Sequence, residues 1–133
     1  MNKPIPSVQA HMTASPHSIG RDQPLIRAHE FMREHKIRHL PVLDRGELVG
    51  ILSDRDLALI EAMQDVNPTL VNVDDAMSTE VYAVAPDTPL DQVARSMAEH
   101  KYGCAVVLHK QQVVGIYTTV DVCRSLAEVL HPR

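Results

Sequence analysis

A chain of 133 residues that is 44% hydrophobic and 23% charged has the composition of a folded globular protein, not of a disordered one. With 17 acidic against 13 basic residues, a formal charge of -4, no Trp and only Phe31 and three Tyr, it lacks the basic footprint and stacking platforms of a nucleic-acid binder. No apolar run approaches the roughly 20 residues that span a bilayer, and the opening MNKPIPSVQAHM has no signal-peptide core, so the cytoplasm is the expected compartment and no membrane is expected as a partner.

In chain order, an extended lead-in from Val8 reaches Pro24, where the first turn of a helix tolerates proline. Leu25, Ala28, Phe31 and Met32 then share one face at helical spacing. The runs HLPVL and LVGIL flank the polar turn DRGE and predict a hairpin, with both faces covered because the runs are almost continuously apolar. Asp54 to Met63 reads as a second helix. The segment Gln64 to Asn72, QDVNPTLVN, carries an Asn-Pro turn signal. A second round follows: Pro89 opens a helix with Leu90, Val93, Ala94 and Met97 on one face, CAVVL and VVGIY flank HKQQ, and Thr119 to Val129 forms the last helix.

These two rounds are one repeat. A gapless shift of 65 residues lays Val8 to Asp56 on Val73 to Asp121, with 15 of 49 positions identical, among them Met12/Met77, Pro24/Pro89, His35/His100, Gly50/Gly115 and Asp56/Asp121. The expected class is α/β, each copy running lead-in or strand, helix, strand, strand, helix. The expected division is 1–66 and 67–133, together one module, since units near 60 residues bury only a marginal core alone.

The repeated heptad, GILSDRD at Gly50 to Asp56 and GIYTTVD at Gly115 to Asp121, stands where a strand runs into a helix. Ser53 falls at the N-cap with Asp56 three residues on, the spacing of a capping box. The same geometry suits a ligand. Free N–H groups and the positive end of the helix dipole favour a phosphate. Asp56 can accept hydrogen bonds from both hydroxyls of a ribose, and Gly50 leaves room for a ligand or a neighbouring backbone. Both readings stay open on the residues alone.

The paired stretches HLPVLDRGELVGILSDRDL and CAVVLHKQQVVGIYTTVDV, each preceded by Met-Thr or Met-Ser and a Pro-Leu helix start, resemble a tandem pair of cystathionine β-synthase (CBS) domains, a Bateman module, from about Val8 to Leu126. The resemblance implies two β-α-β-β-α motifs related by a pseudo-twofold axis, packed through their sheets, with clefts that take AMP, ADP, ATP or S-adenosylmethionine. It implies that Asp56 and Asp121 bind ribose hydroxyls and that Ser53 and Thr118 bind phosphate. The first strand of each motif and the strand before the hairpin turn would enclose the base.

The copies are unequal. Arg55, Arg38 and His39 of the first offer charge to a phosphate chain, where the second has Val120, Gly103 and Cys104. In the first strand, where the family often carries Thr, stand Ser18 and Ala83. The better site is therefore expected from Ser18, Ile19, Arg38, His39, Leu40, Pro41, Ser53, Arg55 and Asp56, and a weaker one from Ala83, Val84, Thr118 and Asp121.

Eight histidines show no metal-ligand spacing, and His35 and His100, each in an EHK at a helix end, suit the C-terminal dipole. Neither a nucleophile elbow nor a phosphate-cradling glycine loop followed by Lys occurs, so no enzyme and no required cofactor are expected. Cys104 and Cys123 lack a CxxC partner and read as buried thiols. Val122, Leu126, Val129 and Leu130 make an apolar stripe on the last helix, and in the family such helices meet across a dimer, so a homodimer is expected. The function these features point to is a regulatory sensor of an adenosine-containing ligand whose output lies in an unidentified effector protein. The alternative is a constitutive dimerisation or scaffold module.

Overall fold

The computed structural model describes residues 4–63 and 65–131; Gln64, the first residue of the expected boundary segment, lies outside them. In chain order the elements are a 3-10 turn (Val8–Ala10), β1 (Thr13–Ala14), β2 (Ile19–Gly20), α1 (Leu25–His35), β3 (His39–Asp44), β4 (Glu47–Ser53), α2 (Asp54–Glu61), α3 (Val73–Ala76), β5 (Ala83–Val84), α4 (Leu90–His100), β6 (Cys104–His109), β7 (Gln112–Thr118) and α5 (Thr119–Leu130). They form two compact units, one of residues 17–81, the other joining the segment up to Pro16 to the chain from Tyr82 onward.

In the 17–81 unit the sheet order is β2-β3-β4. β3 lies parallel to β2, with Ile19 opposite Val42, and antiparallel to β4, with His39 opposite Ser53. Pro24 stands just before α1 at φ -65° and ψ 146°, one residue earlier than expected, where a missing N–H breaks no helical bond. Leu25, Ala28 and Met32 of α1 close on Leu40, Val42, Leu52, Leu57 and Val73, and each buried Leu, Val or Met stabilises by about 1.5–3 kcal/mol. Phe31 is only half-buried; its ring meets His17 and His35 edge-on at 5.2 and 4.5 Å. The hairpin turns through Arg45 (φ 53°) and Gly46 (φ 85°), the left-handed pair that a two-residue hairpin requires.

The second unit repeats this plan in the order β1-β7-β6-β5, with a core of Val8, Leu90, Val93, Met97, Ala105, Val107 and Tyr117. Both first helices end on a lysine in the left-handed region, Lys36 at φ 55° and Lys101 at φ 59°.

The packed units are offset from the expected halves 1–66 and 67–133, because each takes its lead-in from the neighbouring copy in sequence. Val8 sits in the core around α4, and Val73 in the core around α1. β1 edges β7, with Thr13 opposite Ile116, and Ser78, the repeat mate of Thr13, bridges Ile51 through two backbone hydrogen bonds of 2.9 Å. The two lead-ins share one apolar pattern, so that pattern alone does not select which hairpin each one edges.

Cys104 is buried and burial pushes its thiol up to about 12, whereas Cys123 is exposed, against the expectation of two buried thiols. Asp121 and Ser125 mark the inward side of α5, and Cys123, midway between them, falls on the opposite side at about 100° per residue. A thiol reagent at pH 8 is therefore expected to modify one cysteine per folded chain, with Cys104 at least about 100-fold slower until the chain is denatured, since the thiolate is the reactive species. Equal rates for both would contradict the burial of Cys104.

Candidate functional site

In both units the last strand of the hairpin delivers a hydroxyl residue to the start of a helix. Ser53 Oγ accepts the Asp56 N–H at 3.2 Å, and Asp56 Oδ2 accepts the Ser53 N–H at 2.8 Å and its O–H at 3.0 Å. Thr118 and Asp121 repeat this with 3.3, 2.9 and 3.2 Å. Each is a complete capping box, and each N-cap contributes about 1 kcal/mol.

Sheet register gathers the first set of residues. The β3–β4 ladder sets His39 opposite Ser53, and the Arg38 carbonyl accepts the Asp54 N–H at 2.9 Å. Arg38 and Arg55 are exposed, while Ser18, Ile19 and His39 are half-buried. Leu40 and Pro41 are almost wholly buried, so their side chains face packed protein and they offer a ligand only backbone. In the other unit Cys104 lies opposite Thr118, and β5 pairs Ala83, exposed, with Val106, leaving Val84 half-buried.

Burial pushes the His39 imidazole below its ordinary 6.5, an effect that Asp54 and Asp56 oppose and Arg38 reinforces. The unfolded chain then binds the proton more readily than the folded one, so this group's stability is present above pH 6.5 and is lost as pH falls toward the folded value. His39→Gln is expected to flatten that acidic limb in urea titrations between pH 7 and 5; an unchanged limb would assign the loss to other groups.

The two carboxylates differ. Asp121 is 3% exposed; besides its box, Arg124 Nη1 donates to Oδ1 at 2.9 Å and Thr13 Oγ1 lies 3.1 and 3.3 Å from its two oxygens. Asp56 is half-buried, and its Oδ1 has no hydrogen-bond partner among the described residues. The repeat mates of Thr13 and Arg124 are Ser78 and Leu59. Beside Asp121, His11 Nδ1 and the Tyr117 hydroxyl both meet Ser125 Oγ, at 2.8 and 2.9 Å, where the 17–81 unit has Ala76, Leu52 and Ile60 at the matching positions. Sequence reasoning missed Thr13, Arg124, His11 and Ser125; the only trace was the Met-Thr near the start of the first copy.

The space at Gly50 is taken by protein. A Cβ there would lie 2.5 Å from Met77 Sδ and 2.8 Å from the Ser78 carbonyl oxygen. One concavity of about 480 Å³ is lined by Gln9, Pro86, Leu108, His109 and Lys110, and another of about 330 Å³ by His29, Arg33, Leu57 and Glu61; neither includes Ser53, Asp56, Thr118 or Asp121. Among the described residues no three His, Cys, Asp or Glu side chains converge as a metal site, and no helix is long and apolar enough to cross a membrane.

The family model of the CBS domain matches residues 1–62 and 73–128. Among solved structures the chain is similar to a protein described as an acetoin utilization protein, AcuB, from Vibrio cholerae, at 33% identity, with a TM-score of 0.86, over 96% of this chain and 94% of that one. It is also similar to the CBS domain pair of protein MJ0100 in complex with 5-methylthioadenosine and S-adenosyl-L-methionine, at 28% identity and TM-score 0.83, over 95% and 99%. CBSX2 in complex with AMP is similar at 26% identity and TM-score 0.82, over 95% and 99%. The duplicated hairpin and helix entrance, read with the two matched segments, place this chain in the CBS domain family, as a tandem pair of such domains.

Proposed function

We propose that this chain is a regulatory module that binds an adenosine-containing ligand, AMP, ADP, ATP or S-adenosylmethionine, at the Ser53–Asp56 entrance of α2, and that it carries out no reaction of its own. The observation that carries the reading is the Asp56 carboxylate, half-buried at a helix N-terminus with Oδ1 unengaged among the described residues. A ribose offers two vicinal hydroxyls to such an acceptor, and the exposed Arg55 and Arg38 supply charge for a phosphate. Two similar CBS pairs that hold adenosine compounds support it. The ligand shifts the module between conformations only by its differential affinity for them, and the output passes to an effector polypeptide or to the arrangement of a homodimer. On α5, Leu126 (55% exposed), Val129 (67%) and Leu130 (72%) form the apolar face for that dimer.

Calorimetric titration with the four ligands, run beside thermal melts, tests this. Binding that saturates near 100 times Kd stabilises the fold by about 2.7 kcal/mol, a rise of several degrees in Tm. Absence of heat and of any shift with all four would favour the second reading, a constitutive dimerisation or scaffold module, to which the exposed α5 face also points.

A further inference from the structure

We propose that the second helix entrance has become an internal latch: Asp121 is committed to holding the N-terminal strand β1 against β7 and α5, and is thereby withheld from ligand, so that the chain takes one adenosine ligand and not two. This rests on the proposed ligand reading for its stoichiometry, but not for the latch itself.

Every acceptor direction of the Asp121 carboxylate is met by protein. Oδ2 takes the Thr118 N–H and O–H, Oδ1 takes the Arg124 guanidinium at 2.9 Å, and Thr13 Oγ1 lies against both oxygens. A ribose would have to displace charge-assisted bonds from a group only 3% exposed. The commitment is specific to this copy, since Ser78 and Leu59, at the matching positions, make no hydrogen bond to Asp56 among the described residues. Polar side chains extend the fastening. His11, two residues before Thr13, meets Ser125 one turn beyond Asp121 and lies 3.7 Å from Glu128. Ser125 is itself buried and also takes the Tyr117 hydroxyl. β1 has only two ladder residues, and just beyond it the Ser15 N–H reaches the Val114 carbonyl at 3.0 Å. So short an edge depends on side chains to stay closed.

Two measurements on the full chain decide the matter. In native-state amide exchange, Thr13→Val combined with Arg124→Leu is expected to speed the Ser15 amide by at least about 10-fold, the core amides of β6 changing less; an unchanged Ser15 rate overturns the latch. In titration with AMP or S-adenosylmethionine, the wild-type chain is expected to bind one molecule, and Asp56→Asn to bind it at least about 100-fold more weakly. Two molecules per wild-type chain, or one bound by Asp56→Asn with wild-type affinity, overturn the exclusion. Should no adenosine ligand bind the wild-type chain, the ligand reading has failed, and the exchange rate of Ser15 alone decides whether Asp121 is a latch.

Discussion

Replacing Asp56 by Asn is expected to weaken adenosine-ligand binding by at least about 100-fold while leaving the chain folded. A carboxylate hydrogen bond is worth roughly 1.5–3 kcal/mol, and a ribose makes two of them to one Asp, so the loss spans two or more powers of ten in Kd. The side-chain amide keeps one acceptor for the Ser53 N–H, which now reaches Oδ2 at 2.8 Å, so the cap loses no more than about 1 kcal/mol. Titration of wild type and variant with AMP and S-adenosylmethionine, beside melting curves of both, separates the two effects. An affinity unchanged within threefold would show that Asp56 does no more than cap α2.

The largest effect on stability is expected from Gly50→Ala. Its Cβ would meet the Ser78 carbonyl oxygen at 2.8 Å and Met77 Sδ at 2.5 Å. That carbonyl is main chain, held by the Ile51 N–H at 2.9 Å, so relief requires the lead-in to part from β4. A cost near 3 kcal/mol follows, the upper end for overpacking. At Gly115 the obstruction comes from Met12 side-chain atoms. An unbranched thioether can swing aside, so Gly115→Ala is expected to cost about 1 kcal/mol, and less when combined with Met12→Ala. Urea unfolding of the three variants gives the order, and a Gly115→Ala more damaging than Gly50→Ala would refute the contact geometry.

Both helix entrances are legible in the sequence, because their signals are local. A hydroxyl three residues before an Asp at a strand-to-helix change is a capping box whatever surrounds it, and both boxes form. Helices starting just after Pro24 and Pro89 and hairpins turning at Asp44 to Glu47 and His109 to Gln112 likewise follow from periodicity and turn chemistry. The glycines were harder. Their lack of a Cβ implied a close approach, and the approaching groups proved to be Met77 and the Ser78 backbone at Gly50 and the Met12 side chain alone at Gly115. Cys123 was misplaced because a small apolar residue on an amphipathic helix fits either face, and only the packing of Asp121 and Ser125 inward turned it out.

From the order of its residues alone this protein's duplication, its proline-started helices, its hairpins and the hydroxyl–carboxylate pair at each helix start are legible, the last three because they depend on neighbours within a few positions. The lead-in expected to be extended from Val8 forms instead a 3-10 turn at Val8–Ala10, and its repeat mate the short α3 at Val73–Ala76. Tertiary contacts decided the rest. They assign each lead-in to the hairpin of the other copy, bury Asp121 under Thr13 and Arg124, and leave Asp56 with a free oxygen among the described residues. Two copies with nearly the same local pattern acquire different chemistry because Thr13 and Ser78, or Arg124 and Leu59, differ in what they can donate once folding brings them to a carboxylate.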